Sequence, residues 1–140
     1  MARPILMSGA LMAFLGVAIG AFGAHGLKPF LSEQMLTVFE TGVRYHLIHA
    51  LGMLSAGWGL VYVPLRQFRW AGWAFFLGIM LFSGSLYVMS LSGARGLGML
   101  TPFGGLCFLV GWGLLARGYW KAFPSPNTPF SPPDRKEASP

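Results

Sequence analysis

The chain has 140 residues, of which 54% are hydrophobic and only 10% are charged, and its mean hydropathy is +0.58. An average soluble domain carries about 25% charged residues, so this chain could not cover a water-facing surface of ordinary composition. The formal charge of +6 comes from basic residues placed singly at the ends of apolar runs, and this placement argues against nucleic-acid binding. The single cysteine, Cys107, excludes a disulfide framework.

Four apolar stretches follow one another along the chain, at residues 5–24, 45–63, 70–91 and 98–116. A helix that rises 1.5 Å per residue needs about 20 residues to cross a hydrocarbon core of about 30 Å, and each stretch has about that length. Glycine-rich runs stay helical in lipid because the backbone must satisfy its own hydrogen bonds there. The sequence therefore predicts an all-α, integral membrane four-helix bundle, formed by one domain over residues 1–121.

The first stretch also fits a second interpretation, a signal peptide cleaved near Ala24. Its apolar run is longer than the hydrophobic region of about 7 to 15 residues in such peptides. We therefore expect all four spans to be retained.

Residues 32–43, between the first two spans, have the pattern of an amphipathic helix. Met35, Phe39 and Val43 fall on one face, whereas Glu33 and Glu40 fall on the other. Ser32 is the expected N-cap. One straight helix from residue 32 to residue 63 would be about 48 Å long, so we expect a bend near Gly42 and an interfacial helix before the second span.

Residues 122–140 form a segment rich in proline and polar residues. Such a composition predicts a disordered tail.

The basic residues predict on which side of the membrane the two ends of the chain lie. The side that holds both termini and the loop between spans two and three, here called the A side, has five: Arg3, Arg66, Arg69, Arg117 and Lys121. The opposite B side has three: Lys28, Arg44 and Arg95. Positive loops stay in the cytoplasm, so both termini and the tail are predicted to be cytoplasmic.

Small residues recur on two of the predicted spans. Gly16, Gly20 and Ala24 follow one another every four residues in the first span, and Gly104, Gly105 and Gly111 lie in the fourth. Small residues let helices approach closely in a membrane. We expect these stripes to pack mainly within the bundle, with a copy or another protein as the alternative.

Polar residues collect in the half of the bundle nearer the B side. They are His25, Arg44, Tyr45, His46, His49, Ser83, Ser85, Tyr87 and Thr101. His46 and His49 are three residues apart on one helical face, and His25 could join them. A metal or haem site would need a defined set of ligands, and no cysteine or well-placed carboxylate accompanies the imidazoles. We therefore predict that the protein binds no metal or cofactor. The favoured role of these polar side chains is hydrogen bonding between helices, and the alternative is that they line a path for protons or a solute.

The hydroxyl groups in this set have simple local explanations. Ser83 and Ser85 are expected to bond to carbonyl groups of their own helix, and Thr101 is expected to cap the fourth span just before Pro102. No carboxylate lies inside any span. Because serine and histidine without an orienting acid give weak support for a hydrolase, the sequence predicts a protein that is not an enzyme.

Four motifs, in order along the chain, resemble those of one membrane family. They are Gly20-Ala-Phe-Gly-Ala-His25-Gly-Leu27, Thr41-Gly-Val-Arg-Tyr-His46-Leu-Ile-His49-Ala-Leu-Gly52, Phe82-Ser-Gly-Ser-Leu-Tyr87 and Leu100-Thr-Pro-Phe-Gly-Gly105. They resemble the small four-helix family catalogued as domain of unknown function four-two-three, which is related to a small eukaryotic transmembrane protein. The resemblance covers about residues 5–118 and implies four spans in a bacterial inner membrane, without an assigned activity.

The sequence thus favours a non-catalytic membrane protein, a small accessory or structural subunit or assembly factor of a larger membrane complex. Its expected partners are lipids and other membrane subunits or further copies of itself. The alternative is a small-solute or proton-linked transporter or channel that uses the polar cluster on the B side. A redox or metal enzyme built on the three histidines is a third hypothesis.

Overall fold

The computed structural model describes residues 2–123, which form an all-α bundle, as predicted. The helices are α1 (Ala2–Phe22), α2 (Glu33–Tyr62), α3 (Arg66–Gly78), α4 (Gly84–Ser92) and α5 (Thr101–Ala122). A π turn, Gly23–Leu27, extends α1, and a second, Ile79–Ser83, joins α3 to α4, so that the bundle has four long helical rods. A 3-10 turn, Arg95–Met99, precedes α5. Most of the tail predicted to be disordered lies outside the described residues.

Three helical stretches within residues 2–123 are long and apolar enough to cross a membrane: Ala2–Leu27, Arg66–Ser92 and Gly96–Ala122. They contain the first, third and fourth predicted spans. The second predicted span lies in α2, whose buried face is built largely from glycine, alanine and histidine. Small and polar residues lower the hydropathy of this helix, although it packs against α1, α3 and α4 in the middle of the bundle.

The predicted amphipathic helix and second span form one uninterrupted helix, α2, instead of two separate elements. Ser32 is its N-cap, as predicted, and accepts a hydrogen bond from the Met35 amide at 3.3 Å. The helix runs on through Gly42, where a bend was expected. Gly42 is buried against the ring of Tyr87, where a Cβ would lie 2.8 Å from Cε1. The need for close packing against α4 therefore explains this glycine.

Phenylalanine rings of the third rod fill notches that glycines leave in its two neighbours. Phe68 lies against Gly59 of α2 and Gly118 of α5, and Phe75 lies against the pair one heptad away, Gly52 and Gly111. Seven residues further along, the backbone and Cβ of Phe82 pack against Gly104 of α5, and the Phe82 ring stacks on Tyr45 of α2 with ring centroids 4.6 Å apart. Phe68 and Phe75 have no exposed surface. These three levels form the interior of the bundle.

The small-residue stripe of α1 also follows a seven-residue repeat. Gly9, Gly16 and Gly23 are buried against α2. Gly16 and Gly20 therefore pack within the bundle, as predicted, whereas Ala24 is exposed. Four residues turn an α-helix by about 400°, so each step of four moves the next residue about 40° around the helix. Ala24 is two such steps from Gly16, which explains why it lies outside the interface.

The glycines of α5 that were predicted to pack closely also differ in whether they contact another helix. Gly104 and Gly111 are buried against Phe82 and Phe75, whereas a Cβ on Gly105 would meet only Phe82 Cδ2, at 4.0 Å. Two of the three thus create close approach within the bundle.

Both described ends of the chain lie at one end of the bundle. Ala2 lies beside Leu65 of the α2–α3 turn in one surface pocket, and Ala122 at the end of α5 lies beside Val63, just after α2, in another. The α1–α2 turn and the α4–α5 connection follow at the opposite end, where α4 ends at Gly93 in the left-handed conformation (φ 72°). The arrangement agrees with the threading of four spans used to define the A and B sides.

Candidate functional site

His46 connects α2 to α4. The imidazole is 4% exposed, and its Nδ1 lies 3.1 Å from the hydroxyl oxygen of Tyr87. Tyr87 also packs on Phe39 with ring centroids 5.1 Å apart. The pair is a buried hydrogen bond between helices, which is the role that the sequence favoured for these residues.

The second nitrogen of His46 points to α1. Nε2 is buried and has no hydrogen-bond partner among the described residues, although the Met12 carbonyl group lies close to the ring. If Tyr87 donates its hydroxyl proton to Nδ1, the neutral ring carries its own proton on Nε2, facing that carbonyl. The ring also lies beside Gly16 of α1, where a Cβ would be at an ordinary contact distance of 3.4 Å from His46 Cδ2 and only 2.7 Å from Leu47 Cδ2. His46 thus occupies the contact between α1, α2 and α4.

His49 lies one turn further along α2 in an aromatic environment. Its Nδ1 donates a hydrogen bond to the Tyr45 carbonyl oxygen at 2.7 Å, which leaves Nε2 of the neutral ring as an acceptor. Phe108 stacks on the imidazole with centroids 3.4 Å apart and planes 6° from parallel. Phe75 and Trp112 lie at centroid distances of 5.7 and 6.0 Å. His49 is therefore packed as an aromatic ring between α2, α3 and α5.

The hydroxyl groups of the B-side cluster join α4 to α5. Ser85 donates to the Phe82 carbonyl oxygen at 2.8 Å, as predicted, and its Oγ lies 2.9 Å from Thr101 Oγ1. Thr101 is the first residue of α5 and not its cap, because its hydroxyl group faces Ser85. The prediction for Ser83 was wrong: its Oγ is fully buried and has no hydrogen-bond partner.

The three histidines do not converge. His25 is exposed in the π turn after α1, whereas His46 and His49 are buried within α2. Within residues 2–123, no group of three histidine, cysteine or acidic side chains could hold a metal ion. Arg44 is exposed on α2, beside Glu40 and the end of α1. The predicted cluster therefore separates into a buried bonding network and an exposed charged edge.

The structure also contains a polar bridge near the A side that the sequence did not predict. Ser55 Oγ lies 2.9 Å from the hydroxyl oxygen of Tyr119, which also donates to the Ser55 carbonyl oxygen at 3.1 Å. This bridge joins α2 to α5. Its only sequence signal was a serine on the face of α2 that also carries Gly52 and Gly59.

Replacing Tyr87 by phenylalanine should lower the free energy of unfolding by about 0.6 to 1.7 kcal/mol, which are the average and the largest values measured for hydrogen bonds between membrane helices. The change removes the partner of His46 Nδ1 and keeps the ring that packs on Phe39. Thermal unfolding in detergent measures the effect, and Tyr62→Phe is the control because Tyr62 is 75% exposed. Equal stability of the two variants would contradict a stabilising His46–Tyr87 bond.

Comparisons with known proteins assign the chain to a family. Residues 19–105 match the family model described as "Protein of unknown function (DUF423)". A UPF0382 membrane protein of Staphylococcus saprophyticus is 43% identical over 85% of this chain and 98% of its own length. A UPF0382 membrane protein of Bacillus subtilis is 43% identical over 79% of this chain and 90% of its own length. Another, of Haemophilus influenzae, is 36% identical over 81% of this chain and 90% of its own length.

No solved structure matches the chain. The family match includes most of the polar residues discussed above, and the relatives are named as membrane proteins without an activity. These findings agree with the helical, apolar architecture and with the resemblance seen in the four motifs. The chain belongs to the DUF423 family of membrane proteins of unknown function.

Proposed function

We propose that the protein is a non-catalytic accessory subunit or assembly factor that binds a larger membrane complex through the outer face of α3 and α5. The observation that carries the proposal is an apolar groove of about 420 Å³ between these helices. Trp70, Trp73 and Leu106 are exposed along it, whereas Ala74 and Cys107 are less exposed and form its floor. The groove thus has a shape that can receive side chains of another helix.

Packing is the main source of affinity between helices in lipid, because the hydrophobic effect does not drive apolar surfaces together there. A groove with small residues on its floor allows more contact than a flat lipid-facing surface does. Tryptophan at its edge offers the large, rigid contact area that is common at protein interfaces. The α3–α5 face is therefore suited to a partner helix.

The interior of the bundle favours this role over transport. Phe68, Phe75 and Phe108 are buried between the helices, and His46, Ser85 and Tyr119 bond across helix pairs. A path for a solute would have to displace these rings or bonds. The proposed location is the bacterial inner membrane, with both termini in the cytoplasm, on the basis of the family resemblance and the excess of basic residues on the A side.

Purification from native membranes in mild detergent should recover the protein with a stoichiometric membrane partner. Ala74→Trp should release that partner, because the larger side chain fills the floor of the groove. Val17→Trp is the control, since Val17 is 62% exposed on α1, away from the groove. Recovery of the wild-type chain alone, or loss of the partner in both variants, would contradict the proposal.

A further inference from the structure

A second, smaller groove lies between the end of α1 and the first half of α2. Its volume is about 150 Å³. Gly20, Gly23 and Ala24 form one wall, and Phe39, Glu40 and Arg44 line the other. Phe39 is buried, whereas Glu40 and Arg44 are exposed. The groove therefore combines an apolar floor with one negative and one positive group at its edge.

The groove lies at the depth where lipid headgroups meet acyl chains. A hydrocarbon core of about 30 Å corresponds to about 20 residues of helix, so a core that starts after Arg3 ends near Ala24 of α1. Gly20 and Gly23 are thus in the last turns of the core. Glu40 and Arg44, which face them from α2, lie at the interface on the B side.

The two charged residues are complementary to one class of headgroup. Glu40 and Arg44 are four residues apart, about 6 Å along the helix axis, and no ion pair joins them in the described structure. Phosphoethanolamine carries a phosphate and an ammonium group separated by a two-carbon bridge. Guanidinium groups bind phosphate oxygens through paired hydrogen bonds, and a carboxylate accepts hydrogen bonds from an ammonium group.

We propose that this groove binds a zwitterionic phospholipid, with its phosphate at Arg44, its ammonium group at Glu40 and the start of an acyl chain along Gly20 and Phe39. Glu40 disfavours an anionic lipid that has no ammonium group, because its carboxylate would then face the lipid phosphate without a neutralising cation. The volume is below the 300 to 1,000 Å³ that is typical of pockets for drug-sized molecules. The groove therefore fits a headgroup better than a larger solute.

Lipid retention by the full chain tests the site. The protein is placed in nanodiscs that contain equal amounts of phosphatidylethanolamine and phosphatidylglycerol, and the lipids that stay bound after transfer to detergent are counted by native mass spectrometry. The wild-type protein should retain phosphatidylethanolamine with a preference of about fivefold, as expected for an ion pair at a partly exposed site. Glu40→Gln should lose this preference, and Arg44→Gln should lose retention of both lipids.

Glu33→Gln is the matched control, because Glu33 is an exposed carboxylate of α2 outside the groove. It should retain phosphatidylethanolamine like the wild-type protein. A wild-type lipid ratio equal to that of the nanodisc, or the same change in Glu33→Gln as in Glu40→Gln, would overturn the proposal. The proposed partner site on α3 and α5 is on a different face, so the two tests are independent.

Discussion

Gly104→Ala should destabilise the bundle by about 3 kcal/mol, the upper end of the usual cost of overpacking a core. A methyl group on Gly104 would clash with the backbone nitrogen and Cα of Phe82, as well as with its Cβ. Backbone atoms cannot move aside as the end of a side chain can. The third rod and α5 would have to separate locally, and thermal unfolding in detergent, followed by circular dichroism, should show the loss as a lower Tm.

The neighbouring glycine provides the control for this experiment. A Cβ on Gly105 would have its nearest contact at 4.0 Å, so Gly105→Ala should leave the stability unchanged or raise it slightly. Both variants add the same methyl group to the same turn of α5. Equal Tm values for Gly104→Ala and Gly105→Ala would contradict the close packing of α5 against Phe82.

Phe75→Ala should lower the free energy of unfolding by about 3 to 5 kcal/mol, because it leaves a cavity in the middle of the bundle. The ring has no exposed surface and lies between Gly52 and Gly111, with Trp112 at a centroid distance of 4.9 Å. Glycine notches cannot close around a missing ring, since they have no side chains with which to fill it. Thermal and denaturant unfolding in detergent measure the loss.

Two further variants make the Phe75 prediction specific. Phe103→Ala is the control, because Phe103 is 64% exposed and its removal leaves no internal cavity. Gly111→Ala should be destabilising alone, since its Cβ would lie 2.6 Å from the Phe75 ring. Combined with Phe75→Ala, the same methyl group would enter the empty space, so the double variant should be more stable than the sum of the single effects predicts. Strict additivity would contradict direct contact.

The apolar stretches predicted the helical rods because long runs without charge have one stable form in lipid. They did not predict the continuity of α2. Glu33 and Glu40 indicated a solvated surface helix before Tyr45, but Glu40 lies at the exposed edge of the contact with α1, on a helix whose buried residues pack against α1 and α4. The packing of the buried residues thus determines the position of α2, and the charged residues occupy its exposed side.

The packing of the interior was visible in the sequence as a seven-residue repeat. Phe68, Phe75 and Phe82 share this spacing, as do Gly104, Gly111 and Gly118. A search for small residues every four positions finds only part of this pattern and includes Ala24, which is exposed. The seven-residue spacing predicts the phenylalanine–glycine levels, because residues seven apart return to within about 20° of the same helix face.

The candidate polar site was less predictable than the fold. The π turn at Gly23–Leu27 changes the helical register just where His25 occurs, so spacing along an ideal helix could not place that side chain. The different environments of Ser83 and Ser85 have a simpler origin, since residues two apart on a helix point about 200° away from each other. Sequence spacing identified the side chains that bond between helices but could not assign each partner.

The four-span bundle depends most on α2 crossing the membrane, since the other three rods are long and apolar enough to do so. In a Cys107→Ala background, single cysteines at Phe30, Pro64 and Gly96 can be labelled with a membrane-impermeant maleimide in sealed vesicles of one orientation. All three positions are exposed in turns. Positions 30 and 96 should be labelled from one side and position 64 only from the other. Labelling of positions 30 and 64 from the same side would contradict the four-span bundle.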